Sequence, residues 1–165
     1  RMKSRSNLPI VVIDIDNTVA DHIEMIKNLY DPVEKTISYE EANSIEAVKS
    51  NKPISGSIRA VQKIANSYQI FWLTARKEHL FDVTKDWLVE YNYPIDKLIF
   101  VKLFNDKIPH LISIQPTLFI DDLKYDYYSL KPKRATKMIK QLKENNINFI
   151  EFDYDWDEIL ELLSL

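Results

Sequence analysis

Short apolar runs rich in β-branched residues recur along this chain, and they restrict its fold more than any other feature. Residues 8–13 (LPIVVI), 69–73 (QIFWL), 97–101 (KLIFV), 117–120 (TLFI) and 148–152 (NFIEF) are each too short for a helix. They are continuous rather than alternating, which is the pattern of strands buried on both faces of a parallel sheet. Between them lie stretches of helical periodicity. Residues 57–67 carry Ile58, Val61, Ile64 and Ala65 on one face, and 79–91 carry Leu80, Val83, Trp87, Leu88 and Tyr91. A short helix is expected at 107–113. A basic one is expected at 132–145, with Ala135, Met138, Ile139 and Leu142 inward, and a last one after an Asp155 cap with Trp156, Ile159, Leu160 and Leu163.

Strands alternating with helices predict an α/β fold of three layers, Rossmann-like, with five parallel strands and right-handed crossovers. The length of 165 residues suits one domain, residues 1–165. Only 21–52 interrupts the alternation. It is polar and helix-prone, breaks at Asp31-Pro32, and has an N-cap candidate in Ser38 ahead of Glu41. It reads as a small cap over the sheet edge.

The chain has no cysteine, which excludes disulfides, thiolate metal sites and cysteine catalysis. No apolar run approaches a membrane span, the start does not read as a leader, and the expected compartment is cytoplasmic. A net charge of −3 gives no global attraction to nucleic acid. With a single glycine, tight turns must use Asn, Asp or Pro.

In an open parallel sheet, ligands bind beyond the carboxyl ends of the strands. Asp14 and Asp16 follow the first run, Thr74 and Arg76 the second, Asp121 and Asp122 the fourth, and Lys107 comes soon after the third. Parallel strands would bring all of them to one edge. Carboxylates gathered there raise one another's pKa, and a divalent cation relieves the repulsion. Hard oxygen ligands without nearby His or Cys favour magnesium over zinc.

These residues also carry a resemblance. Asp14-Ile-Asp-Asn-Thr18 resembles the first motif of the haloacid dehalogenase superfamily, DxDxT. Leu73-Thr74-Ala75-Arg76 is similar to the second, Asn105-Asp-Lys107 to the lysine-bearing third, and Phe119-Ile-Asp121-Asp122 to the acidic fourth, with Asp126 at a further acidic spacing. The likeness runs over about residues 8–163 and implies strand order 5-4-1-2-3, with strand one central. It implies an Mg2+-dependent phosphomonoester hydrolase with Asp14 as nucleophile, forming an aspartyl-phosphate. Asp16 would be general acid and base, with a carboxyl pKa raised by its acidic neighbours. It further implies Asp14, the Asp16 carbonyl and Asp122 or Asp121 as magnesium ligands. Thr74 and Lys107 would hold the phosphoryl oxygens, with Asn17, Thr18, Ala75 and Arg76 about the substrate. An acid at position 16 favours phosphoryl transfer over dehalogenation.

The chain departs from the superfamily pattern where Asn17 replaces the common Gly, a substitution that positive φ tolerates. Lys102 competes with Lys107 for the third motif. Arg76 reads equally as an ion-pair partner of Glu78 or Asp82 and as a substrate ligand, the latter by likeness to the 3′-phosphatase domains of polynucleotide kinases. His22, His79 and His110 read as surface or packing residues, His22 having some chance of lining the pocket. The basic run Lys131, Lys133, Arg134, Lys137, Lys140 and Lys143 reads as a solvated face, and Tyr125, Tyr127 and Tyr128 as packing or partial cover. Trp72, Trp87 and Trp156 fall on core stripes. The expected substrate is a phosphate ester, a nucleotide or nucleic-acid end among them. The competing reading is a non-catalytic phosphate- or nucleotide-binding module.

Overall fold

Alternate residues of the first strand face opposite cores, and the layers of the molecule follow from that. Val11 and Ile13 join one apolar cluster while Val12 joins the other, as the two-residue side-chain period of a strand requires. The computed structural model describes residues 4–165; residues 1–3 of the expected domain lie outside the described residues. The main sheet contains β1 (Ile10–Ile13), β2 (Gln69–Thr74), β3 (Lys97–Phe100), β4 (Leu118–Asp121) and β5 (Phe149–Glu151). All neighbours are parallel, in the order β3-β2-β1-β4-β5.

Helices α1 (His22–Asn28), α2 (Tyr39–Ala42) and α3 (Ile45–Ser50) belong to the insert after β1. The rest are α4 (Ser57–Ile64), α5 (Phe81–Glu90), α6 (Lys107–Ile114), α7 (Thr136–Glu144) and α8 (Trp156–Leu162). Val61, Ile64, Val83, Trp87, Leu88, Trp156 and Ile159 of α4, α5 and α8 cover the face bearing Val11, Ile13 and Trp72. Ile108 and Leu111 of α6 and Met138, Ile139 and Leu142 of α7 cover the face bearing Val12, Leu73 and Phe119. Trp72 is fully buried, and burial of so large an apolar side chain contributes about 3 kcal/mol. Among the described residues, no helix is long and apolar enough to cross a membrane.

Two element boundaries differ from the sequence reading. The segment expected as a helix from 132 starts only at Thr136, because Lys133–Arg134 pairs antiparallel with Lys124–Tyr125 and Ala135 N–H donates to Leu123 O. The segment expected from 79 begins as a 3-10 turn, Glu78–Leu80, before α5.

The insert has structure of its own. Asp21 caps α1 by accepting from Glu24 N–H, a ribbon pairs Tyr30–Asp31 with Thr36–Ile37, and Ser38 accepts from Glu41 N–H at the start of α2. Met25, Ile26, Ala42 and Ala47 form a small separate core, with Tyr127 and Tyr128 packed against it.

Candidate active site

Asp14 directly follows β1, the central strand, and its backbone N–H donates to Ile120 O of β4 at 2.9 Å. The chain then turns sharply. Ile15 O accepts from the N–H groups of Thr18, Val19 and Ala20, and Asn17 sits at φ 60°. Asn is among the few residues apart from Gly that enter this region readily, so the turn survives without glycine. The Asn17 side chain is buried, its Oδ1 accepting from Ile23 N–H at the start of α1. Thr18 is fully buried and its hydroxyl donates to Asp14 Oδ2 at 3.2 Å. It braces Asp14 from beneath.

Lys107, the first residue of α6, is 1% exposed, and its Nζ donates to Asp14 Oδ1 and to Asp121 Oδ2, both at 2.8 Å. Lys102 is exposed on the preceding loop, so Lys107 is the lysine that reaches the carboxylates. Asp121 is wholly enclosed; its other oxygen accepts from Leu123 N–H at 2.8 Å. Asp122 is also buried but contributes to the cavity wall, and Tyr127 O–H donates to its Oδ2. Asp14, Asp121 and Asp122 each bring a carboxylate oxygen within 4.8 Å of the others.

Burial, then the Asp121 charge, push the Asp14 carboxyl up to about 7 against the opposing pull of Lys107. Burial, then Asp121 and Asp14, push Asp122 well above the ordinary carboxylate range. These are carboxylates short of positive charge. Asp14, Asp16, Asp121 and Asp122 face two cationic side chains, Lys107 and Arg76, a formal excess of two negative charges when all four acids are ionised. One divalent cation among hard oxygens matches that excess, so the donor set fits magnesium.

Asp16 is a correction. The expectation was a carboxyl with raised pKa. Burial does push it upward, but Arg76, then His22 and Lys107, outweigh burial and hold it below the usual range. Arg76 Nη2 meets Asp16 Oδ1 at 2.8 Å and Nε reaches Oδ2 at 3.1 Å. Arg76 itself is buried, its Nη1 donating to Thr84 Oγ1 at 3.0 Å. Its partners are therefore Asp16 and Thr84 rather than Glu78 or Asp82. The backbone at 75–77 is not helical, so no one-turn spacing brings those acids beneath it. Thr74 is buried and its Oγ1 accepts from Arg76 N–H at 3.2 Å, fixing that loop, while Ala75 stands on the cavity wall.

The cavity has a volume of about 240 Å³. Asp14, Asp16, Arg76, Lys107 and Asp122 make its floor, and the insert supplies Met25, Tyr39, Asn43 and Asn51. The hairpin after β4 adds Tyr125, Asp126, Tyr127 and Tyr128. The two covers are clasped: Asn43 Nδ2 donates to Tyr128 Oη at 2.8 Å, and the rings of Tyr39 and Tyr128 lie 5.3 Å apart.

His22 lines the cavity with Nδ1 3.6 Å from Asp16 Oδ1, and burial lowers its pKa. The sequence reading underrated it. A signal was present in its place, eight residues after Asp14 and directly after the cap residue of α1. His79 and His110 are exposed, as read. Tyr39, Asn43 and Asn51 were missed. The insert lacks an apolar period that would have oriented them.

No family model matches the chain. A protein of Halalkalibacterium halodurans, provisionally named a nucleotidase, is 24% identical over 136 residues, which cover 69% of this chain and 69% of that protein. A nucleotidase of Clostridium acetobutylicum is 29% identical over 112 residues, covering 63% of this chain and 55% of its own. In structure, a hydrolase from Streptococcus pneumoniae superimposes with TM-score 0.62 at 9% identity, over 96% of this chain and 99% of that one. A HAD-superfamily hydrolase from Geobacter sulfurreducens gives 0.59 at 13% identity, over 94% and 99%. A chain of the Pnkp1/Rnl/Hen1 RNA repair complex gives 0.58 at 16% identity, over 93% of this chain but 45% of that one. The fold is thus the one seen in haloacid dehalogenase-like hydrolases. The sequence likenesses are to proteins named nucleotidases.

Proposed function

We propose that this chain is a magnesium-dependent phosphomonoester hydrolase acting on small phosphate esters, nucleotides first among them, and that residues 21–52 are its cap within one domain. The observation that carries this reading is the triad Asp14–Lys107–Asp121, with Asp122 beside it on the cavity wall. Asp14, braced through both oxygens by Lys107 and Thr18, attacks phosphorus. The bond to the leaving oxygen breaks, and Asp16 gives that oxygen a proton. Water then attacks the aspartyl-phosphate and Asp16 takes a proton from it, releasing inorganic phosphate.

For the first step Asp16 must gain a proton that Arg76 now discourages. A phosphoryl dianion that draws Arg76 to itself loosens that hold, so one residue links substrate arrival to the readiness of the acid. Asp14, Asp122 and the Asp16 carbonyl would hold magnesium, which supplies charge neutralisation at the phosphoryl oxygens. Asp122 is preferred to Asp121 as a direct ligand because Asp122 stands on the cavity wall with Asp14, whereas Asp121 is wholly enclosed and off it. Lys107 contributes its positive charge beside the phosphoryl group, and Thr74 supports the Arg76 loop.

The test is phosphate release from p-nitrophenyl phosphate and from a nucleotide panel, with and without magnesium. Wild-type turnover that needs magnesium and falls at least about a thousandfold in Asp14→Asn is expected. A chain that binds nucleotide yet releases no phosphate from any ester would instead be a binding module.

A further inference from the structure

A cavity of about 240 Å³ lies below the roughly 300 Å³ at which sites for whole drug-sized ligands begin. A nucleotide whose phosphate sits against Asp14 must therefore extend its base elsewhere, and the surroundings offer three cavities. One, inside the insert, shares only Met25 with the site and is rimmed by Asp21, Glu24, Glu41 and Glu46 against the single cation Lys52, a net negative lining that repels an anionic substrate. Another, of about 900 Å³, shares Arg76 and Lys77. Its aromatic residues, Phe81 and Phe100, are packed on each other at 5.2 Å.

The third, about 410 Å³, shares the aromatic walls Phe104 and Tyr125 with the phosphate pocket. It continues over Leu103, with Met138 buried beneath it and Asn105 and Thr136 as the uncharged polar residues of its lining. Lys107 Nζ lies over the Phe104 ring at 5.0 Å from its centre, so Phe104 forms the saddle between the catalytic lysine and the outer slot. Leu103 is 67% exposed and Tyr125 47%, apolar surface that costs free energy in water and has no covering element. Aromatic walls and a small number of amide and hydroxyl groups are the chemistry that takes a flat heterocycle and reads its edge.

Resting on the hydrolase reading above, we propose that the slot between Phe104, Tyr125 and Leu103 is the base subsite for a nucleoside monophosphate. In this subsite Asn105 and Thr136 hydrogen-bond the base edge. The slot selects nucleotides over sugar phosphates by stacking and edge contacts rather than through the cap.

Steady-state kinetics on ribonucleoside 5′- and 3′-monophosphates, set against ribose 5-phosphate, test this. The best nucleotide is expected to exceed ribose 5-phosphate in kcat/KM by about tenfold or more, the scale of one base–aromatic stack. In Leu103→Glu and in Thr136→Trp, which charge and fill the slot, that ratio should collapse towards one. The collapse should come through a raised nucleotide KM with kcat little changed. A ratio does not depend on the fraction of protein folded, so a weakened variant still reports.

Ribose 5-phosphate hydrolysed as well as every nucleotide, or a ratio unmoved by both substitutions, would overturn the subsite and leave the hydrolase standing. Absence of turnover on any ester would remove the hydrolase. Calorimetric binding of nucleoside monophosphate to Asp14→Asn, with and without Leu103→Glu, then decides the subsite alone. Equal affinity in the two proteins refutes it, and an affinity about tenfold weaker with the glutamate supports it.

Discussion

Lys107 has almost no exposed surface and two carboxylates at 2.8 Å, so its removal is predicted to cost stability as well as activity. Lys107→Met would leave Asp14 and Asp121 facing each other without a counter-charge. Breaking a buried pair from one side typically costs about 3–5 kcal/mol. Urea unfolding of the metal-free variant should show a loss of that order at pH 8, and a smaller one at pH 5, where Asp14 can accept a proton instead. An unchanged midpoint would mean that the lysine is not holding the carboxylates apart.

The convergence of Asp14, Lys107 and Asp122 on one edge was legible because strand ends and chain order restrict where they fall. The Asp16–Arg76 pair was not. Sixty positions separate its members, and local spacing offered Arg76 two plausible acids on its own side of the chain. The downward shift at Asp16 follows from that pair, so it too lay beyond reach of the sequence.

At the scale of elements, the strands were readable because an apolar run buried on two faces leaves few other options. The start of α7 was not, since a ribbon contact with Lys124–Tyr125 overrides the helical preference of residues 133–135. The same kind of non-local contact ties the insert to the hairpin after β4. Tyr128→Phe removes the hydroxyl that accepts from Asn43 and keeps the ring against Tyr39. The expected cost is about 1 kcal/mol, appearing mainly as faster amide exchange in α2 and α3 rather than as global unfolding. Uniform exchange across the chain would argue that the clasp does not hold the insert.

A second tie pins the N-terminal turn. Arg5 grips Asp96 through Nε at 2.9 Å and Nη2 at 2.6 Å, and Asp96 also accepts from Ile70 N–H. The Arg5 hydrogen bonds, against a smaller opposing effect of burial, hold the Asp96 carboxyl below its ordinary value. A depressed carboxyl pKa contributes stability above the unfolded value of about 3.9 and loses it as pH falls through the folded one. Arg5→Ala should therefore destabilise by about 1 kcal/mol at neutral pH, and the gap to wild type should close in acid. A gap that persisted once Asp96 is protonated would assign the effect to the Arg5 bonds to the Ala65 and Tyr68 carbonyls instead.

For the molecule as a whole, the two unbalanced negative charges at the sheet edge couple folding to metal and to protons. Asp14, pushed up to about 7 by burial and by Asp121, has a folded pKa above its unfolded one. In the metal-free protein, the stability linked to its bound proton is complete below about pH 4 and is lost as pH rises through 7. A cation that prefers the ionised carboxylate competes with that proton, so its binding must strengthen over the same interval. Thermal unfolding in chelator and in excess magnesium should then nearly coincide at pH 5 and separate at pH 8. Magnesium at a hundred times its Kd adds about 2.7 kcal/mol, which for a chain of this size corresponds to about 5–10 °C in Tm. Asp122→Asn removes one ligand and one repelling charge together. It should raise the chelated Tm slightly and erase most of the magnesium response. A magnesium shift of equal size at both pH values, or one retained in Asp122→Asn, would locate the cation away from the edge that β1 and β4 share.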